Sequence, residues 1–501
     1  MNPTMSVPAR VGKSVIDVAP DEFRAMGHQL VDDIALFLEG IANRPVSPGL
    51  KPSEIRARLG DPSMPEHGAD PATILADATR LLFDSSTFNG HPRFFGYITA
   101  PASPIGIFGD MLATAVNQNC GAWILSPAAA EIELQTISWM AELTGFPGDC
   151  GGIFVSGGNM ANMVCFLAAL KRHDREPQHA ERKLRCYASV ETHTWIDKAA
   201  DLSGIGPESV TRLPVDARGR INAQDLRAAI LADRDAGAIP SLVIATAGST
   251  NTGAIDPLAD IADVCSEEGL WLHVDGAYGA PVAALPDAPP DLLAISRADS
   301  LAIDPHKWLY APLEAGCALV RNKEDLRTAF SHAPHYYHFE EIEGEAGTNF
   351  YELGPQNSRG FRALKVWLAM KHVGRAGHVE MIAQDIALAE KMYHAVQADD
   401  RLEARTCELS IVTFRFVPGD LRSSDQVGQR EYLNRLNETL LTALQAEGEV
   451  FVSNAIVDGD FLLRACIVNF RTTVTDVLAV PEIVARTGER VDRELRGSVR
   501  G

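Results

Sequence analysis

Four short segments carry residue types that could do chemistry together. Ser156-Gly157-Gly158-Asn159-Met160-Ala161-Asn162 is a glycine turn running into a helical pattern. Glycines let the backbone approach an anion, and the start of a helix offers free N–H groups and a positive dipole end. Alone, a Gly-Gly turn into a helix is more often only a turn. Glu191-Thr192-His193-Thr194 holds an imidazole able to stack on a planar ring, the default being a core or surface histidine. His273-Val274-Asp275-Gly276-Ala277-Tyr278 ends an apolar run with a carboxylate, which is costly there unless a cation faces it. Its plain reading is a solvated strand-end aspartate. Asp304-Pro305-His306-Lys307-Trp308 sets a lysine after a strand and beside an aromatic ring. A lysine whose pKa is lowered by burial is an imine-forming nucleophile, although most lysines are solvated surface charges.

Together the four match one inventory: a phosphate cradle, a ring-stacking histidine, a carboxylate for a pyridinium nitrogen and an imine-forming lysine. That is the set pyridoxal 5′-phosphate (PLP) requires. Their order along the chain makes accidental agreement improbable.

Such residues need elements to position them. From about residue 130 short apolar runs alternate with helical stretches: GGIFVS (151–156), RCYASV (185–190), SLVIATAG (241–248), LWLHVD (270–275), SLAID (300–304) and GCALVR (316–321), with helices over 159–173, 194–203 and 256–268. This pattern predicts an α/β domain with a mostly parallel sheet, whose strand carboxyl ends gather ligands. After a helical stretch at 360–397 the style changes. LSIVTFRFVP (409–418), a helix near 430–447, EVFVSNAIVDG (449–459) and FLLRACIVNF (461–470) predict a smaller α+β domain. Residues 21–43 place Phe23, Leu30, Ile34, Phe37, Leu38 and Ile41 on one helical stripe, which must pack on its own chain or on a partner subunit. Pro45, Pro48, Pro52, Pro62, Pro65 and Pro71 then read as a loop-rich connection.

The 501 residues suffice for a large core without disulfides or structural metals. The formal charge of −21 opposes unspecific binding to nucleic acid or anionic lipid. The first residues show no apolar signal region. Gly151–Leu170 lacks charge but carries Gly157-Gly158-Asn159 and Asn162 at its centre, so a buried strand–loop–helix fits better than a membrane span. Eight scattered cysteines (120, 150, 165, 186, 265, 317, 407 and 466) form no CxxC pair and read as reduced cytoplasmic thiols.

The sequence resembles the group II PLP-dependent amino-acid decarboxylases, nearly end to end. The resemblance runs through HPRFFGY (91–97), SPAAAEIE (126–133), SGGNMANM, HVDGAYGA, DPHKWLY, SRGFRALKVW (358–367) and FLLRACIVNFRTT (461–473), and the aromatic-amino-acid branch is nearest. It implies a fold type I, PLP-dependent transferase-like large α/β domain over 91–376, an N-terminal helical clasp over 1–90 at a dimer interface, and a small C-terminal α+β domain over 377–501. It further implies a homodimer with shared active sites.

By that resemblance Lys307 carries the cofactor, Asp275 keeps the pyridine nitrogen protonated, and His193 stacks on the ring. Gly158 and Asn159 are implied phosphate ligands, many relatives having Ser in place of Asn159. Thr246, Ala277, Asp304 and His306 complete the cofactor set. Relatives also place an acid-bearing tyrosine on a mobile loop upstream of SRGFRALKVW. Counting back without gaps sets Phe350 there, with Tyr351 adjacent; phenylalanine at that position accompanies aldehyde synthases, and a one-residue shift restores a tyrosine. The implied substrate pocket holds Tyr97, Ile98 where aromatic-specific relatives often carry Phe, Asn119 and Gly121 where the partner subunit contributes apolar residues, and Ser358, which in plant relatives accompanies phenolic substrates.

His332, His335 and His338, followed by Glu340, Glu341, Glu343 and Glu345, raise a rival metal reading. In a segment matching the mobile loop, solvated or substrate-facing polar residues are preferred, and no metal is expected. The expected activity is PLP-dependent decarboxylation of an aromatic L-amino acid to the amine and CO2. The alternatives are oxidative decarboxylation–deamination to an aldehyde, action on a non-aromatic amino acid, or a catalytically silent PLP-fold protein, against which the intact Lys307, Asp275 and His193 argue.

Overall fold

The computed structural model describes residue 14 and residues 16–172, 183–332, 346–422 and 428–498. The short apolar runs become β1 (Gly151–Val155), β2 (Leu184–Ser189), β3 (Val210–Leu213), β4 (Ile239–Thr246), β5 (Trp271–Asp275), β6 (Ser300–Ile303) and β7 (Gly316–Val320). Among the described residues they form one sheet in the order β1-β7-β6-β5-β4-β2-β3. Only β7 is reversed: it pairs antiparallel with both β1 and β6, while β3-β2-β4-β5-β6 run parallel. β1 therefore points the same way as β6, and the carboxyl ends of six strands share one edge. Strands with both faces covered are apolar throughout; Trp271–Asp275 of β5 are all buried.

The chain divides into two compact units, residues 1–88 with 446–448, and residues 89–445 with 449–501. In the larger unit a second sheet, ordered β10-β11-β9-β8, joins β8 (Leu402–Glu408), β9 (Ile411–Phe416), β10 (Ser453–Val457) and β11 (Asp460–Cys466), all antiparallel. It has its own core, built on Phe414, Leu436, Leu440, Leu463 and Val484. The helix Arg362–Gln397 is interrupted at Gly374 (φ 69°, ψ 167°) and contributes to both cores. In the smaller unit the helix Pro20–Gly40 meets Pro71–Ser85, with Phe37 stacked on Phe83 at 4.3 Å.

Two readings change. Pro52 and Pro71 do not mark loop; they open the helices Pro52–Leu59 and Pro71–Ser85, where a fixed φ and a missing N–H suit the first turn. The sequence also left β3 and β8 unmarked. Each lies at one end of its sheet and is broken by charged residues, Arg212 in β3 and Glu403, Arg405 and Glu408 in β8, which blur an apolar pattern.

Candidate active site

Because five co-directional strands end on one edge, the loops leaving them meet. β1 delivers Ser156–Asn159, β2 leads to His193, β4 ends on Thr246, β5 ends on Asp275, and β6 leads to Asp304, His306 and Lys307. These residues, with Ala277, line one cavity of about 380 Å³. All nine residues that the resemblance assigns to the cofactor are thus gathered there.

Asp275 is buried and oriented from two sides: Trp195 Nε1 donates to its Oδ2 at 2.7 Å, and the Ala277 N–H donates to Oδ1 at 3.2 Å. Trp195 is itself buried, edge-on to Phe166 and His273. His273 reaches Ser300 Oγ (2.9 Å) and Asn162 Oδ1 (2.7 Å), and Asn162 lines the cavity. Burial pulls the His273 pKa down to about 4, so this ring is neutral. His193 has its pKa lowered mainly by dehydration of its ring, with Asp275 opposing and Lys307 assisting. An uncharged imidazole is the form that stacks on a planar cofactor without placing a second cation beside it.

Lys307 Nζ lies 3.0 Å from Asp304 Oδ2. His306 Nδ1 donates to the Ala315 carbonyl at 2.7 Å, and burial lowers its pKa. Behind Thr246 the buried Asp256 accepts N–H bonds from Thr246 (2.7 Å) and Ile221 (2.9 Å), clamping the end of β4; burial raises its pKa to about 6.

Three observations test whether a phosphate-bearing aldehyde fits. The Thr246 hydroxyl and Asp304 Oδ1 are buried without a partner, and such groups are costly unless a ligand or water satisfies them. At Gly158 an added Cβ would lie 2.4 Å from Asp304 Oδ2, so the helix start is kept bare. A primary amine and a carboxylate, Lys307 and Asp275, face the same cavity. The residues fit PLP. Gly158→Ala is expected to weaken cofactor binding about tenfold or more, ~1.4 kcal/mol, as measured by cofactor titration of the apoprotein. Unchanged affinity would remove Gly158 from the cradle.

The remaining expected residues stand elsewhere. Tyr97, Ile98, Asn119, Gly121, Phe350, Tyr351 and Ser358 do not line this cavity. Tyr97 is 59% exposed, with a left-handed φ of 54°. Asn119 Oδ1 is engaged by the Gly121 and Arg359 N–H groups, both at 3.1 Å, and the Tyr351 N–H donates to the Gly121 carbonyl at 3.0 Å. A Cβ on Gly121 would lie 2.3 Å from the Asn357 carbonyl oxygen. Phe350 is 1% exposed, with the Arg359 guanidinium 4.8 Å above its ring. Neither Phe350 nor Tyr351, also buried, presents an acid to the cavity of its own chain. Of the histidine and glutamate cluster, only His332 is described; His335, His338 and Glu340–Glu345 lie outside the described residues. Among the described residues no group of three metal-ligating side chains occurs.

Two buried residues, one at the site and one in the small sheet, were not singled out in the sequence. Trp195 directly follows the histidine segment, and nothing but its position hints at the bond to Asp275. Arg464 on β11 is buried with Nε and one terminal nitrogen unpartnered, while the other donates to Ser453 Oγ at 3.0 Å. An arginine inside the apolar run FLLRAC was the available signal.

A sequence model described as the pyridoxal-dependent decarboxylase conserved domain matches residues 52–417. The chain is 36% identical over 477 residues to an aromatic-L-amino-acid decarboxylase of Bacillus atrophaeus, covering 95% of this chain and 97% of that protein. It is 31% identical to a phenylacetaldehyde synthase of Petunia hybrida, covering 89% and 90%. Among solved structures, Oryza sativa TDC with PLP and tryptamine superposes with a TM-score of 0.88 at 28% identity, over 95% of this chain and 99% of that one.

Proposed function

The chain belongs to the pyridoxal-dependent decarboxylase family and uses pyridoxal 5′-phosphate, and from that premise we infer that it decarboxylates an aromatic L-amino acid to the amine and CO2. The observation that carries this reading is the convergence of Lys307, Asp275, His193, Thr246 and Gly158 on one cavity.

Bound there, the cofactor supplies an electron sink for the pair left when the Cα–carboxylate bond breaks. The side chains do the rest. Lys307 would provide the amine that holds the cofactor aldehyde, and as a free amine in the same cavity it could carry a proton. Asp275, fixed by Trp195 and the Ala277 N–H, would hold the proton of the ring nitrogen in place. Gly158 and Asn159, at the start of the helix Gly158–Lys171, would hold the phosphate, and the Thr246 hydroxyl, in register with Asp275, would face the cofactor from the end of β4. His193, which lines the cavity, would stack on the ring. Asp304 keeps the Lys307 amine oriented.

The relative from Petunia keeps an oxidative outcome in view. The residue that pointed to it, Phe350, is packed beneath Arg359 in the interior, and amine formation is preferred on the likeness to the decarboxylase of Bacillus atrophaeus. Incubating the holoenzyme with phenylalanine, tyrosine, DOPA and tryptophan and assaying CO2, amine and peroxide tests this. Equal yields of CO2 and amine without peroxide are expected. Stoichiometric peroxide would reject simple decarboxylation, and no product would favour a silent PLP-fold protein.

The working form is a homodimer. The helix Pro104–Val116 exposes Phe108, Met111, Leu112 and Val116, and Pro20–Gly40 exposes Phe23 and Leu36, apolar side chains that a partner subunit would cover. On this reading a partner subunit brings Asn119, Gly121, Tyr351 and Ser358 toward the substrate. A fully active monomer in analytical ultracentrifugation would contradict it. All eight cysteines are free, in keeping with a cytoplasmic enzyme, and among the described residues no helix is long and apolar enough to cross a membrane.

A further inference from the structure

Directly behind the lysine loop lies a buried carboxylate to which neither the cofactor set nor the substrate pocket gives a role. Asp385, on the helix Arg362–Gln397, is 3% exposed. Its Oδ2 accepts two bonds from the lysine loop, from Trp308 Nε1 at 2.8 Å and from the Tyr310 hydroxyl at 2.5 Å. The Asn469 N–H, just beyond β11, donates to it as well. All three donors are neutral.

The two loop donors come one and three residues after the reactive lysine. Trp308 follows Lys307 directly, and its ring stacks on Tyr278 at 4.8 Å and 11°. Tyr278 belongs to the Asp275 segment, and its hydroxyl meets Ser410 Oγ at 2.6 Å. Tyr310 is held in the left-handed region (φ 57°), which non-glycine residues occupy only when their surroundings impose it. Its hydroxyl bond to Asp385 is such a constraint. One carboxylate thus gathers the lysine loop, the aspartate segment stacked on it and the small-sheet region.

We propose that Asp385 is a positioning residue for the reaction: through Trp308 and Tyr310 it sets the orientation of Lys307 relative to Asp275, and its charge state tunes that orientation. The proposal rests on Lys307 being the cofactor lysine.

Burial raises the Asp385 pKa to about 7, against the opposing effect of its three hydrogen bonds. The groups facing it do not titrate nearby. Tyr310 on the loop, Cys466 on β11 and Tyr278 on the aspartate segment are all pushed up by burial, and His378, earlier on the same helix, is pulled down to about 4. From about pH 5.5 to about 9, Asp385 is therefore the group of this cluster that changes charge.

The test compares wild type, Asp385→Asn, Trp308→Phe and Tyr310→Phe as holoenzymes, reading the visible absorbance of the lysine-bound cofactor against pH together with kcat and KM. The wild type is expected to show an inflection near neutral pH that Asp385→Asn lacks. Asparagine keeps the acceptor oxygen and the shape, so kcat is expected to fall about tenfold while KM stays within about twofold, the signature of misplacement rather than lost binding. Tyr310→Phe and Trp308→Phe each remove a donor that favours the anion, so both should move the inflection to higher pH. A second readout is the apoprotein. The raised pKa means the folded state binds a proton between about pH 4 and 7 that the unfolded state has released, so Tm should decline with rising pH across that window, and less steeply in Asp385→Asn. Superimposable absorbance curves and unchanged kcat in Asp385→Asn, or an inflection that ignores Tyr310→Phe, would overturn the proposal. A wild type with no lysine-bound band would overturn the assignment of Lys307, and this inference with it.

Discussion

Lys307→Ala is expected to abolish the borohydride-sensitive visible band of the holoenzyme and to lower turnover about 10⁴-fold or more, the upper range for removing a positioned proton carrier. The expectation follows from the place of the amine. Lys307 shares the cavity with the orphaned Thr246 hydroxyl, the bare Gly158 and the doubly held Asp275, and among the described residues no other lysine lines it. Its ion pair with Asp304 raises a competing explanation, in which any loss reflects an unpaired buried carboxylate. Lys307→Arg separates the two. Arginine keeps the positive charge but cannot form an imine, so it should preserve apoprotein stability and cofactor-phosphate binding while still abolishing the band. A band that survives in Lys307→Ala would place the covalent attachment elsewhere and remove the basis of the proposed function.

How much of this site was legible in the sequence depends on how local each constraint is. Gly158, His193, Asp275 and Lys307 could be read because each closes a strand or opens a helix within a short, patterned segment. The parallel sheet then brings those ends together without further instruction. Trp195 and Asp385 could not be read, because their roles are defined across the chain: Trp195 acts on a residue 80 positions away, and Asp385 on residues 75 and 77 positions away. No local pattern distinguishes an aspartate that accepts two buried donors from one on a solvated helix face. Phe350 fails in the opposite sense. Position along the chain suggested a loop residue, whereas its burial is set by a guanidinium nine residues later. The end strands β3 and β8 escaped because Arg212, and Glu403, Arg405 and Glu408, interrupt any apolar run.

That same guanidinium is the subject of the largest expected stability effect. Arg359 and Glu133 are each 1% exposed in their side chains and pair at 2.5 Å. Arg359 also donates to the carbonyls of Cys120 and Phe154, both at 2.8 Å, and Glu133 accepts the Phe154 N–H at 2.9 Å. The pair therefore ties β1 to the loop of Asn119 and Gly121 and to the turn holding Phe350. Arg359→Met leaves the Glu133 carboxylate buried without a cation and frees two carbonyls, so a loss of about 3–5 kcal/mol is expected from the shift in urea midpoint. The double variant Glu133→Gln/Arg359→Met should recover part of that loss, because the uncompensated charge is then gone. The two side chains are in contact, so their effects should not add. Strict additivity, or a loss below about 1 kcal/mol in Arg359→Met, would show that the pair is dispensable. The functional consequence would then change as well. If Arg359 holds Asn119, Gly121 and Phe350 in place, loosening it should raise KM for the amino acid before it disturbs cofactor binding, because the cofactor cavity is built from other strand ends.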